Sequence, residues 1–256
     1  MRGSGTSSPR TRAKALATDA GLFAAGPARD ARFTVRERWV DCANFPVGHP
    51  LQTLEFLHRQ MNEEIDSLES SARNLADFPQ ADWNLRMCLA RQCADEARHA
   101  RMFRRLYEKR GGEVGRFPVL NFQYRIITQF DSLAARLAIQ NRSFEAGGLD
   151  AITAGIQQTR DEGDLELAEL YEAQIADEIA HVRFANEWIR ALTREDPRNL
   201  LRIGQAMKTA SQAFSAVMGR EGTENVAYPA DREGRLEAGF TPEEVELTAS
   251  LMPQRP

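Results

Sequence analysis

Two short stretches of this chain repeat one pattern: residues 94–100 read Ala-Asp-Glu-Ala-Arg-His-Ala, and residues 176–182 read Ala-Asp-Glu-Ile-Ala-His-Val. Each stretch contains a glutamate three residues before a histidine, namely Glu96 and His99, and Glu178 and His181. On an α-helix, residues i and i+3 are neighbours on one face. Each pair is therefore predicted to bind the same metal cluster. Carboxylate and neutral imidazole ligands together suit iron or manganese.

The positions of glycine and proline indicate helices around both motifs. We predict four helices over residues 50–75, 82–110, 127–160 and 165–194, and a fifth over 197–219. Thr-Pro-Glu-Glu at residues 241–244 reads as a capping box, which predicts a short closing helix after Thr241. The first two helices, and likewise the third and fourth, are joined by short turns, which predicts two antiparallel hairpins. A longer connection separates the hairpins, as a crossover along a bundle requires. With no alternating strand pattern, the fold class is all-α: a four-helix bundle with an additional C-terminal helix and tail.

A two-metal site needs further carboxylates from the other two helices of the bundle. The third helix offers Glu145 in its central stretch. The first helix offers Glu63 and Glu64. Glu64 lies within one apolar stripe of that helix, whereas Glu63 lies on a polar face. A glutamate on the core-facing side needs a partner to offset its desolvation, so we choose Glu64. The predicted metal ligands, which are also the predicted catalytic residues, are Glu64, Glu96, His99, Glu145, Glu178 and His181.

Other residues near these ligands have two interpretations each. Asp95 and Asp177 precede the ligand glutamates, and each is predicted to accept the second N–H of a ligand histidine on the facing helix. Arg142, three residues before Glu145, is a candidate for binding a substrate carboxylate, with a salt bridge to a neighbouring acid as the alternative. The Gly147-Gly148 pair indicates room for substrate or a local π-bulge, or else tight helix packing.

The chain divides into residues 1–49, a flexible N-terminal arm and irregular lead-in, residues 50–195, the di-metal bundle, and residues 196–256, a C-terminal helix and tail packing on the bundle. The net charge of -4 argues against a general nucleic-acid binder. No apolar run has membrane-spanning length, and the N-terminus lacks the apolar segment of a secretory signal. We therefore expect a cytoplasmic protein without a membrane partner.

Over residues 50–194 the chain resembles the ferritin-like superfamily of di-iron carboxylate proteins, which share this arrangement of glutamates and Glu-x-x-His motifs. Residues 95–99 also resemble the acid-Glu-x-Arg-His motif of oxygen-activating members such as acyl carrier protein desaturases. The second copy departs from that motif at Ala180. The whole chain, including Gly-Arg-Leu-Glu-Ala-Gly-Phe-Thr-Pro-Glu-Glu at 234–244, is similar to a bacterial ferritin-like family catalogued only as a domain of unknown function. That resemblance implies a fold and a metal site but no substrate.

Our hypothesis from the sequence is a non-haem di-iron oxygenase or oxidase that uses O2 to hydroxylate, desaturate or N-oxygenate a small organic substrate. Two iron ions are the expected cofactor, with a mixed manganese–iron pair as an alternative. Electrons would come from the substrate or an external donor, because no flavin or nicotinamide fingerprint is visible. One alternative is a ferroxidase, iron-storage or peroxide-scavenging protein, and another is a tRNA-modifying di-iron hydroxylase. Homodimer formation is left open.

Overall fold

Helices account for nearly all of the regular secondary structure in this computed structural model, which describes residues 30–46, 48–225 and 228–252. The helices are α1 (Gln52–Asp77), α2 (Trp83–Lys109), α3 (Phe122–Ile127), α4 (Leu133–Ile139), a π-helix (Gln140–Glu145), α5 (Ala146–Asp161), α6 (Leu165–Glu172), α7 (Ile175–Glu195), α8 (Arg198–Asn225), α9 (Arg232–Glu237) and α10 (Pro242–Leu251), with a short 3-10 helix at Trp39–Asp41. The predicted N-terminal arm up to residue 29 lies outside the described residues. Among the described helices, none combines the length and apolar character needed to span a bilayer. The predicted all-α bundle is confirmed.

Helices α1 and α2 form an antiparallel hairpin. Pro79 follows the last turn of α1 and cannot donate a backbone N–H to continue it. The Asp82 side chain accepts a hydrogen bond of 2.7 Å from the backbone N–H of Asn84, which caps the first turn of α2. The helix ends before Gly111, whose φ of 81° glycine adopts without strain.

The apolar stripe of α1 packs against α2 and α6. Leu57 and Met61 lie in a cluster with Phe103, Tyr107 and Tyr171. Burying a side chain of this size contributes about 1.5–3 kcal/mol. Glu64 lies on the same stripe, one turn after Met61. The packing of Leu57 and Met61 therefore also turns Glu64 toward the interior of the bundle.

The third predicted helix is interrupted, which corrects the single helix expected over residues 127–160. After α3, the Ser132 side chain accepts a hydrogen bond of 3.4 Å from the backbone N–H of Ala135 and starts α4. The π-helix then separates α4 from α5. The fourth predicted helix is also divided, with Ala173 and Gln174 between α6 and α7.

A pair of two-residue strands was missed by the sequence analysis, which described the lead-in before residue 50 as irregular. β1 (Val35–Arg36) pairs in parallel with β2 (Val119–Leu120), in the crossover between the two hairpins. Two residues are too few for an alternating pattern to be visible. The pairing attaches the lead-in segment to the crossover.

The C-terminal segment packs on the bundle. Helix α8 is interrupted at its predicted end, Gly219, where φ of 62° and ψ of -171° are non-helical, and a further helical segment continues to Asn225. The predicted capping box of α10 is present, formed by Thr241 and Glu244. Helix α9 was not predicted; Arg235 in this helix forms a buried ion pair of 2.6 Å with Asp150 of α5.

Candidate metal centre

The six predicted ligands come together inside the bundle from α1, α2, α7 and the C-terminal end of the π-helix. Their ligand atoms form two groups in which every atom lies within 4.8 Å of the others: Glu64, Glu96, His99 and Glu178 in one group, and Glu96, Glu145 and His181 in the other. Five of the six residues are buried, and Glu64 is half-buried. The grouped carboxylate and imidazole side chains could hold a metal ion.

Glu96 and Glu178 each face both histidines. Nδ1 of His99 lies 3.2 Å from Oε1 of Glu178 and 3.3 Å from Oε2 of Glu96. Nδ1 of His181 lies 3.5 Å from Oε1 of Glu96 and 3.8 Å from Oε2 of Glu178. Each of these carboxylates therefore directs one oxygen toward each histidine, the placement of a bridging ligand. Glu64 adds a third carboxylate near His99, at 3.5 Å from Nδ1.

Each histidine faces an aspartate of the opposite helix with its second nitrogen. Oδ2 of Asp177, on α7, lies 3.4 Å from Nε2 of His99. Oδ2 of Asp95, on α2, lies 3.2 Å from Nε2 of His181. The aspartates lie where the sequence analysis expected them, on facing helices. For His181, the Asp95 acceptor at Nε2 favours the tautomer that places the lone pair of Nδ1 inside the cluster. Nε2 of His99 also lies 3.0 Å from Nη2 of Arg98, which pairs with Asp177.

The positions of the Nδ1 atoms fit a bound cation. Nδ1 of His181 is buried and has no hydrogen-bond partner among the described residues. A lone pair aimed at carboxylate oxygens is unfavourable unless a proton or metal ion lies between them. Divalent iron or manganese binds both donor types, so these residues fit a metal centre.

The pKa values of the cluster reflect burial opposed by close partners. Burial raises the pKa of Glu64 well above its usual value. Burial and the neighbouring Glu96 carboxylate raise the pKa of Glu145 to about 8. Burial also acts to raise the pKa of Glu178, but its close contacts with His181 and His99 outweigh burial and lower the pKa to about 2.

Burial and contacts with carboxylates also have opposite effects on the pKa values of both histidines. Burial acts to lower the pKa of each, but the contacting carboxylates outweigh it and raise the pKa above the usual value. The foremost opposing contact comes from Glu178 for His99 and from Asp95 for His181. The cluster thus attracts positive charge, which a metal ion supplies when it displaces the protons.

Glu145 is surrounded by neutral donors that the sequence analysis did not identify. Its Oε1 accepts hydrogen bonds from Ser67 at 2.8 Å, from Gln140 at 3.4 Å and from Gln92. Its Oε2 accepts one from Asn141 at 2.7 Å. The available signal was helical spacing: Ser67 lies three residues after Glu64, and Gln92 and Asn141 each lie four residues before a ligand glutamate.

Arg142 is not among the residues that line the cavity beside the ligands, and its assignment to substrate binding stays a prediction. Its guanidinium donates to Asn186 and Glu244 and lies 4.5 Å from the centre of the Phe240 ring. The wider turn of the π-helix removes the i, i+3 relation on which the prediction relied. The alternative interpretation, a salt bridge to an acid, is observed.

Gly147 and Gly148 line a cavity of about 1110 Å³. A Cβ atom built on either residue would meet nothing within 4 Å, which excludes tight helix packing as the reason for the pair. The cavity wall also includes four of the ligands, namely Glu64, Glu96, Glu145 and Glu178. Both interpretations of the glycine pair are therefore observed: room beside the cluster, and a π-helix that ends at Glu145.

The fold and site together define an all-α helical-bundle protein with a buried glutamate–histidine cluster that could hold metal. The chain belongs to the family described as "Protein of unknown function (DUF455)", whose sequence profile matches residues 7–246. No curated protein matches the chain.

Proposed function

We propose that this protein is a ferritin-like di-iron oxygenase or oxidase that acts on a small organic substrate. The ligand set supports the di-iron assignment, since ferritin-like di-iron proteins use one glutamate from each of two helices and a Glu-x-x-His motif from each of the other two. Here Glu64 and Glu145 are the single glutamates.

The cavity beside the carboxylates carries the proposal that the substrate is a small molecule. Its volume of about 1110 Å³ is slightly above the range of small-molecule sites, which span roughly 300–1,000 Å³. Apolar side chains on its wall include Phe56, Ile152, Leu167 and Tyr171. The apolar part of the wall favours an organic substrate over hydrated iron.

A pair of iron ions held by the six ligands would supply O2 activation. The chain's own residues would hold the ions, orient the histidines through Asp95 and Asp177, and leave room for substrate beside Gly147 and Gly148. Electrons would come from the substrate or an external donor. The iron-handling and tRNA-hydroxylase alternatives differ in what triggers O2 consumption.

The test is O2 uptake after anaerobic loading with Fe(II), in the presence and absence of candidate metabolites. A substrate should trigger O2 uptake beyond the amount required by the iron. A Gly148→Leu variant, which places a side chain in the cavity without replacing a ligand, should keep its iron and Fe(II) oxidation but lose substrate-triggered uptake by about 10-fold or more.

Gly204→Leu provides the matched control, because Gly204 is also a helical glycine with nothing within 4 Å of a built Cβ and does not line the cavity. This variant should behave as the wild type does. Uptake strictly proportional to added iron would favour the iron-handling alternative instead. Uptake triggered only by RNA would favour the tRNA hydroxylase.

A further inference from the structure

The two halves of the metal centre differ in the number of ligands they offer. By ligand atoms within 4.8 Å of one another, the half that contains His99 has four residues and the half that contains His181 has three. Glu178 faces both histidines but is counted in the His99 half, because it lies 3.2 Å from His99 and 3.8 Å from His181. Glu96 belongs to both halves. An ion bound first in the His99 half therefore leaves only Glu145 and His181 as residues not already engaged.

We infer that the metal centre fills in order: one ion binds tightly in the His99 half, and a second binds more weakly in the His181 half. The inference rests on the proposed metal centre. The His99 half contains three carboxylates, and their combined negative charge attracts a divalent cation more strongly than the His181 half does. The second ion meets one new carboxylate and the repulsion of the first ion.

The hydrogen bonds to Glu145 and Glu64 also favour tighter binding in the His99 half. A carboxylate offers about four lone-pair sites for donors or metals. Glu145 accepts hydrogen bonds from Ser67, Gln92, Gln140 and Asn141, so an ion at this carboxylate competes with donors already in place. By contrast, the described donor to the Glu64 carboxylate is Gln174, at 3.0 Å from Oε1. Glu64 is therefore the more available ligand.

The test is a Co(II) titration of the metal-free full chain, followed by visible absorption and by calorimetry. The wild type should bind two ions in two steps whose dissociation constants differ by at least 10-fold. Glu145→Gln should keep the first step within about threefold and lose the second. Glu64→Gln should weaken the first step by at least 10-fold, because it removes one of the four first-half ligands.

Glu63→Gln is the matched control, since Glu63 pairs with Arg59 and Gln60 and lies outside both ligand groups. It should bind both ions as the wild type does. Uptake of two ions in one step by the wild type would overturn the inference, and so would an equal loss of the first step in Glu145→Gln and Glu64→Gln. A wild-type chain that binds no Co(II) would overturn the proposed metal centre as well.

Discussion

At the scale of single residues, the aspartates are paired crosswise. Asp95 precedes a ligand of α2 but faces His181 of α7, and Asp177 precedes a ligand of α7 but faces His99 of α2. Arg91 lies between them, 3.3 Å from Asp95 and 3.6 Å from Asp177. These contacts connect α2 and α7 outside the cluster and orient both imidazole rings.

Replacing either aspartate by asparagine should weaken metal binding by about 10–100-fold. The amide can still accept one hydrogen bond, but it no longer supplies the negative charge that makes the histidine a stronger ligand. Competition with a chromophoric chelator measures the change in affinity. The matched control is Glu187→Gln, which removes an exposed carboxylate of α7 outside the ligand groups. Affinities equal to the wild type in both asparagine variants would reduce the aspartates to surface ion-pair residues.

At the scale of elements, the π-helix sets the direction of the third bundle helix at the metal centre. It places Glu145 among the ligands and turns Arg142 toward the C-terminal segment. There Arg142 contacts Asn186 of α7 and both Phe240 and Glu244 near the start of α10. The π-helix thus positions Glu145 in the cluster and Arg142 against the C-terminal segment.

Arg142→Ala should therefore change stability and leave the metal centre intact. The variant leaves Oδ1 of Asn186, a fully buried residue, without its donor, which costs about 1–3 kcal/mol. The ion pair with Glu244 adds little, because that side chain is 40% exposed and such pairs contribute about 0–1 kcal/mol. Urea unfolding measures the loss, and metal analysis should still find two ions per chain. Loss of substrate binding at unchanged stability would support the substrate-binding assignment of Arg142.

At the scale of the whole molecule, the proposed metal centre joins elements that are far apart in the chain. Its ligands come from α1, α2, α7 and the π-helix, so an ion bound to the folded chain contacts both hairpins at once. The unfolded chain does not bring these residues together. We therefore expect metal binding to be coupled to folding.

Removing the metal should lower the melting temperature. A ligand at 100 times its dissociation constant stabilises the folded state by about 2.7 kcal/mol per site. For a chain of this size, each kcal/mol corresponds to roughly 2–4 °C. We therefore expect an increase of about 5–10 °C when the tighter site is saturated, measured by calorimetry with and without chelator. Glu96→Ala, which removes the shared ligand, should show a much smaller increase. Identical melting curves for loaded and stripped wild-type protein would contradict the metal assignment.

The sequence by itself determined the features that depend on local pattern. Helical periodicity distinguished Glu64 from Glu63, because an apolar stripe along α1 marks its core-facing side. The repeated Glu-x-x-His motif predicted which side chains meet, because i, i+3 neighbours share a helix face. Linker lengths predicted the two hairpins, and the capping box of α10 was readable from four residues. The roles of the six glutamates and histidines as metal ligands remain predictions.

Only the tertiary structure decided the features that depend on partners distant in the chain. Arg142 and Glu244 are 102 residues apart, and no local pattern relates them. The π-helix removes the i, i+3 relation assumed between Arg142 and Glu145, since that rule assumes an uninterrupted α-helix. The donors around Glu145 come from three helical segments that meet only in the folded bundle. Hydrogen-bond partners and cavity walls are set by packing, whereas helix faces are set by spacing along the chain.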